Sequence, residues 1–95
     1  MPARRSQRKV PGGKLVRMDA VCERDIISNI RISGDFFVHP EEALSTMESE
    51  LDGLRLTGDE EDLEQRVGSI VSASGAVLIG FGANDLVYLL RELRC

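Results

Sequence analysis

Residues 30–42 (IRISGDFFVHPEE) constrain the fold more than any other stretch, because they combine a strand, a kink, an aromatic pair and a helix start. Ile26, Ile30 and Ile32 fall on one face at the two-residue period of a β-strand. Gly34 interrupts this period, and the aspartate after it favours a bulge or turn in which the backbone adopts a positive φ. The chain is therefore expected to leave its strand at Gly34 and change direction.

Two adjacent phenylalanines follow the kink, and they are two of the three in the chain. Neighbouring side chains of an extended segment point to opposite faces. We therefore expect Phe36 to enter the core and Phe37 to cover a second surface. Pro40, with Glu41 and Glu42 in the first turn, then predicts the start of a helix whose dipole favours the two charges.

The chain before the kink predicts an antiparallel hairpin. Two alternating runs, residues 15–22 and 26–33, are separated by a short polar turn. Near the other end of the chain, residues 76–79 fit either a short strand or a buried extension, because periodicity cannot decide over so few residues.

Apolar residues at helical spacing predict three helices after the hairpin. The first covers residues 40–52 and ends at Gly53, the second begins after an N-cap at Asp59, and the third starts at residue 83 or 84. Gly68 in the second helix predicts a close packing contact. The fold class is therefore α+β, a small antiparallel sheet (a hairpin) with three helices packed on one face. The expected core residues are Ile30, Ile32, Phe36, Leu44, Met47, Leu63, Val67, Ile70, Leu86 and Leu90.

Charge is distributed unevenly along the 95 residues, whose net charge is −4. Six of the twelve basic residues precede position 18, and no acidic residue precedes Asp19. Residues 1–8 have no hydrophobic periodicity, so we expect a basic, disordered arm ahead of the folded domain. Such an arm either remains solvated or binds nucleic acid or an acidic partner.

The sequence contains no recognisable catalytic or metal-binding constellation. The single histidine, His39, precedes a helix-starting proline, and Cys22 and Cys95 are too far apart for a paired zinc motif. No apolar run approaches the roughly 20 residues that a membrane span needs. We therefore expect a cytoplasmic protein with no metal site, no membrane association and no complete active site of its own.

The loop at residues 9–14 (KVPGGK) is the one polar feature suited to chemistry. Adjacent Gly12 and Gly13 leave backbone N–H groups uncovered, and Lys14 supplies a positive charge, so the loop could grip an anion such as a phosphate. Pro-Gly-Gly is also an ordinary loop, so from the residues alone a scaffold role stays open.

Several motifs together resemble the small accessory domain of lipoate–protein ligase. They are KVPGGKL at residues 9–15, ISGDFF at 32–37, PEE at 40–42 and LDG at 51–53. In that family a large catalytic domain makes lipoyl-adenylate from lipoate and ATP, then transfers lipoyl to a lysine of an acceptor domain. The small domain is needed for the first half-reaction, and some organisms encode it as a separate chain.

The resemblance implies that residues 9–95 are an accessory domain, here as a stand-alone subunit that lacks the motifs of the catalytic domain. It implies a heterodimer with a separate catalytic subunit and an indirect relation to the lipoyl acceptor. ATP, Mg²⁺ and lipoate would bind at a site shared with that subunit, to which Gly12, Gly13 and Lys14 would contribute, with Lys14 in a supporting catalytic role. The expected partner interface consists of four residues of this loop and the kink: Lys9, Phe36, Phe37 and His39.

Two alternatives come from other classes of protein. One is a small nucleic-acid-binding module. Two features argue against it: the chain after position 17 has sixteen acidic and only six basic residues, and no aromatic platform lies beside the arm. The other is a small-ligand domain with an apolar pocket near Phe36 or Phe81. The basic residues that the first alternative would use are Arg4, Arg5, Arg8 and Lys9.

Overall fold

The computed structural model describes residues 3–12, 14–56 and 59–94, which form five strands and three helices. In chain order the elements are β1 (Ala3–Val10), β2 (Lys14–Glu23), β3 (Ile26–Gly34), β4 (Phe37–His39), α1 (Glu42–Leu51), α2 (Glu60–Ser74), β5 (Val77–Ile79) and α3 (Ala83–Glu92). Strands β1, β2 and β3 form one antiparallel sheet in that order, and β4 pairs with β5 in a separate two-stranded ribbon, the β4–β5 ribbon. Within the described residues, no helix is long and apolar enough to cross a membrane.

Strands β2 and β3 form the hairpin expected between residues 15 and 33. The turn between them consists of Arg24 and Asp25, which have positive φ angles of 53° and 65°. Such a pair suits the right-handed twist of two antiparallel strands. Val16 and Met18 of β2 are fully buried, as the alternation predicted.

Strand β3 contains a bulge that its alternating sequence pattern did not predict. The pairing of β2 with β3 shifts by one position between Asp19 and Val21. Asn29, near the extra residue of β3, has a φ of 52°, a conformation that asparagine tolerates better than most residues. Because of the shift, Ile27 is fully buried and Ile26 is only half-buried, which corrects the inward position expected for Ile26.

Residues 3–8 were expected to be a disordered arm, and the structure corrects this, because they form most of strand β1. Every residue of β1 pairs with a residue of β2. On the inward side, Ser6 Oγ donates a hydrogen bond to the carbonyl of Leu89 in α3 (2.7 Å), and Arg8 Nε lies 3.4 Å from Oδ1 of Asp85. The inward side chains Ser6 and Arg8 are thus polar and contact α3. A strand is usually recognised in a sequence by apolar residues at such inward positions, and β1 lacks them there.

The three helices lie on one side of the sheet. α1 packs on β3 and β4, α3 packs on β1 and β2, and α2 packs on the other two helices. Asp59 caps α2 as expected, its carboxylate accepting a hydrogen bond from the backbone N–H of Asp62 (2.7 Å). No neighbouring side chain lies within 4 Å of the position that a Cβ would take at Gly68. The close contact expected there is therefore wrong.

The core agrees with the sequence in most positions, and the α+β class is confirmed. Three of the ten expected core residues, Phe36, Leu44 and Ile70, are only half-buried against the core. The seven that are buried are Ile30, Ile32, Met47, Leu63, Val67, Leu86 and Leu90.

Gly34 produces the kink that the sequence predicted. Its φ is 145°, and a Cβ at this position would lie 2.0 Å from the carbonyl oxygen of Leu15. The N–H of Asp35 donates to the same carbonyl (2.9 Å), which fixes how the chain leaves β3. Residues 37–39 then pair with residues 77–79, so the undecided segment at 76–79 contributes a short strand.

Candidate partner-binding surface and anion loop

One face of the β4–β5 ribbon is apolar and exposed to solvent. Phe37 is 68% exposed, Val77 56% and Ile79 53%. Phe37 pairs with Ile79 and His39 pairs with Val77 across the two strands, so these four side chains share one face, here called the ribbon face. Large apolar side chains clustered on a small protein mark a surface that another molecule covers.

The two adjacent phenylalanines separate as the sequence predicted. The ring of Phe36 turns inward and packs on Phe81, with centroids 4.5 Å apart and planes tilted by 52°. Phe37 turns outward to the ribbon face. Phe36 therefore anchors the ribbon to the core, and the exposed position of Phe37 is set by its packed neighbour.

Lys14 lies beside the same ribbon. It has the strand parity of Val16 and Met18, and a Cβ at Gly80 would lie 3.2 Å from its Cγ. The lysine stem therefore passes close to the turn between β5 and α3. An open cleft of about 430 Å³ is lined by Lys14, Gly34, Asp35, Phe36 and Phe37, so the structure brings the loop lysine and both phenylalanines to one place.

The charge of Lys14 is not neutralised by a close carboxylate. Among residues 3–12, 14–56 and 59–94, no salt bridge involves Lys14. Asp19, an acidic residue of the same strand, is paired with Arg5 instead, with Arg5 Nε 2.6 Å from Asp19 Oδ1. An exposed ammonium group next to an open cleft is suited to an anionic ligand.

The remaining predicted site residues are divided between two faces. Gly12 is exposed with a φ of 106°, and the space around its Cα is open; Gly13 lies outside the described residues. Lys9 pairs with Leu15 and has the opposite strand parity from Lys14. The structure therefore brings Lys14, Phe36 and Phe37 to one cleft and His39 to the ribbon face with Phe37. It places Lys9 on the other side of the sheet.

In the described part of the chain, no three His, Cys, Asp or Glu side chains are grouped so that they could hold a metal ion. The groups available for binding here are the ammonium group of Lys14, the backbone of the loop at Gly12 and the apolar ribbon face. Such a set can contribute to a site completed by another protein.

Val77 and Ile79 are the part of the surface that sequence reasoning missed. Val77, Leu78 and Ile79 are all apolar, so the sequence does not show the alternation that the structure has, with Leu78 half-buried between two exposed residues. A run of three apolar residues fits a buried segment as well as a strand. Only the pairing with residues 37–39 shows that they extend the surface begun by Phe37.

The sequence matches no protein-family model, and no curated protein matches it significantly. A solved structure from Thermoplasma acidophilum is similar in fold, with a TM-score of 0.69 and 25% sequence identity. The match covers 96% of this chain and 94% of that chain. That structure belongs to an archaeal lipoylation system, a bipartite lipoate protein ligase and its E2 lipoyl domain. The likeness supports a role in a lipoylation system.

Proposed function

We propose that this protein is the accessory subunit of a bipartite lipoate–protein ligase. It forms a cytoplasmic heterodimer with a separate catalytic subunit and is required for the ATP-dependent activation of lipoate to lipoyl-adenylate. The observation that carries the proposal is the exposed ribbon face beside a lysine that has no carboxylate partner among the described residues. The likeness supports it, because it extends over nearly the full length of a chain from a structure of a bipartite lipoate protein ligase and its E2 lipoyl domain.

In this proposal the ribbon face binds the catalytic subunit. Phe37 and Ile79 lie opposite each other on this face and both are exposed. Large aromatic anchors often contribute most to the affinity of an interface. Burial of the ribbon face brings Lys14 and the open cleft to the boundary between the two proteins.

Lys14 then acts on the reaction of the partner. In adenylation the carboxylate of lipoate attacks the α-phosphate of ATP, the bond between the α- and β-phosphates breaks, and pyrophosphate leaves. Negative charge on the α-phosphate must be stabilised in the transition state. The ammonium group of Lys14 fits a phosphate contact, and Gly12 leaves room for a ligand to approach the backbone. One carboxylate in the cleft, Asp35, does not make a magnesium site, so Mg²⁺ and lipoate would be held chiefly by the catalytic subunit.

Mixing the two purified chains tests the heterodimer. We expect co-elution on size-exclusion chromatography at micromolar concentration, and a loss of affinity of about tenfold or more in Phe37→Ser. Tyr88→Ser is the matched control, because Tyr88 is another exposed aromatic (40%) on α3, outside the ribbon. Two separate peaks for the unmodified chains would exclude the proposed assembly.

Lys14→Ala tests the role of the loop. We expect an intact fold and heterodimer, with lipoyl-adenylate formation slower by about 10²-fold. Transfer from pre-made lipoyl-adenylate should persist, and Lys14→Arg should retain part of the adenylation rate because it keeps the charge. Normal adenylation by the alanine variant would reduce the loop to scaffold, and equal losses in both steps would indicate misfolding.

A further inference from the structure

The face of the three-stranded sheet that points away from the helices is charged. Within the described residues, α1 and α3 pack on one side of this sheet, and the side chains that alternate with the buried ones point to the other side. Four basic residues and one acidic residue define this open sheet face: Arg5, Lys9, Arg17, Asp19 and Arg31. Glu23 stands at its far end, next to the turn.

The strand register arranges these charges in rows. Arg5, Asp19 and Arg31 lie opposite one another on the three strands. Arg5 is held by Asp19, with Nε 2.6 Å from Oδ1, while Arg31 is exposed and no salt bridge in the described chain involves it. The row therefore presents one neutralised arginine and one that is available to a partner.

Arg17 lies in the next row, between Gln7 and Ser33. Its side chain is half-buried, and its Nε is buried without a hydrogen-bond acceptor among the described residues. The buried Nε is closed to a partner, but the other nitrogens of the same guanidinium can donate to a carboxylate that a binding partner brings to this face.

The charge on the rest of the molecule favours an acidic protein over a nucleic acid. The net charge of the chain is −4, and the first turn of α2 carries Glu60, Glu61 and Asp62. A phosphate polymer that extended beyond the sheet would meet this negative potential. A compact domain with carboxylates on one surface can match the basic face alone.

We propose that the open sheet face docks an acidic protein surface, and that this partner is the domain that accepts the lipoyl group. The second part rests on the proposed function. Apolar surface such as the ribbon face suits a lasting assembly, whereas complementary charge mainly speeds a transient encounter. A ligase needs both, because it keeps its subunit and releases each modified acceptor.

The test uses the complete heterodimer with the lipoyl-acceptor domain of the same organism as substrate. Arg31→Glu should raise the KM for the acceptor domain about tenfold, with kcat and the adenylation rate unchanged. The KM of the unmodified enzyme should rise with salt, and that of the variant should rise less. Arg66→Glu on α2 is the matched control, since it makes the same charge change on the helical side, and Arg31→Gln serves if the reversal impairs folding.

An unchanged KM for the acceptor domain in folded variants would overturn the docking proposal. A loss of adenylation rate as large as the effect on the acceptor domain would also overturn it, because it would place these residues in the heterodimer interface. If the chain does not stimulate adenylation at all, the proposed function is wrong. Calorimetric titration of this chain with the acceptor domain then still tests docking directly. Absence of binding there overturns it. Tighter binding of poly-uridine RNA, or self-association that Arg31→Glu abolishes, would assign the face to another occupant and also overturn it.

Discussion

The three-stranded sheet and the β4–β5 ribbon use their faces in opposite ways. The sheet buries its apolar side under α1 and α3 and exposes charged side chains on the other. The ribbon turns Val38 inward and exposes Phe37, Val77 and Ile79. An exposed apolar face does not stabilise this chain by itself. The apolar side of the sheet therefore serves folding, whereas the apolar face of the ribbon is the proposed contact with the catalytic subunit.

The strand edges show the same difference. The outer edge of β3 is covered, since Gly53 N–H donates to the carbonyl of Ile27 (2.7 Å), Ile27 N–H donates to the carbonyl of Leu54 (3.1 Å), and Glu48 accepts from Ile32 N–H (2.8 Å). Among the described residues, β4 and β5 make no such backbone hydrogen bonds beyond their own pairing. The ribbon therefore retains an edge to which a strand of a partner could add.

Gly34→Ala should have the largest effect, because it breaks the junction between the two regions. The new Cβ would lie 2.0 Å from the carbonyl oxygen of Leu15, at a φ of 145°. We expect the free energy of unfolding to fall by about 3 kcal/mol or more, as measured by urea denaturation. Gly68→Ala is a control of opposite sign, since it has open space in a helix and should stabilise by about 0.5–1 kcal/mol. A small effect of Gly34→Ala would mean that the kink is not needed to join sheet and ribbon.

The adjacent phenylalanines sharpen the comparison at single-residue scale. Phe36→Ala should lower the free energy of unfolding by about 2–3 kcal/mol, below the usual range for a buried phenylalanine because Phe36 is half-buried against Phe81. Phe37→Ala should change it by less than about 0.5 kcal/mol while weakening the heterodimer. Parallel urea titrations and partner-binding assays check both. Equal destabilisation by the two variants would contradict the division between folding and binding.

The sequence predicted those parts of the fold in which local pattern and burial agree. The hairpin, three helices and the positive φ at Gly34 could be inferred because periodicity and glycine chemistry act over a few residues. Ile26 was misplaced because the shift in register near Asn29 depends on how two strands pair. β1 was missed because Ser6 and Arg8 face α3 through polar contacts, which no hydrophobic pattern records.

The sequence predicted only part of the candidate site. Phe37 follows from the rule that neighbours in a strand point apart, and Lys14 from the chemistry of its loop. Val77 and Ile79 come from a segment almost 40 positions further along the chain, and their pairing with β4 is tertiary information. The separation of Lys9 from Lys14 depends on strand parity across a tight turn, which the motif alone does not give.

Ser6→Ala should have a smaller effect than Gly34→Ala or Phe36→Ala, and it tests how β1 is attached to α3. The variant removes the hydrogen bond from Ser6 Oγ to the carbonyl of Leu89, but that carbonyl still accepts from the N–H of Leu93 (3.1 Å). No buried acceptor is left unpaired, so we expect a loss of about 1 kcal/mol. Ser33→Ala, an exposed serine of β3, is the control and should cost close to nothing. Faster amide hydrogen exchange in β1 than in β2 of the Ser6 variant would show that this contact holds the edge strand to α3. Uniform exchange and no excess over the control would mean that pairing with β2 alone keeps β1 in place.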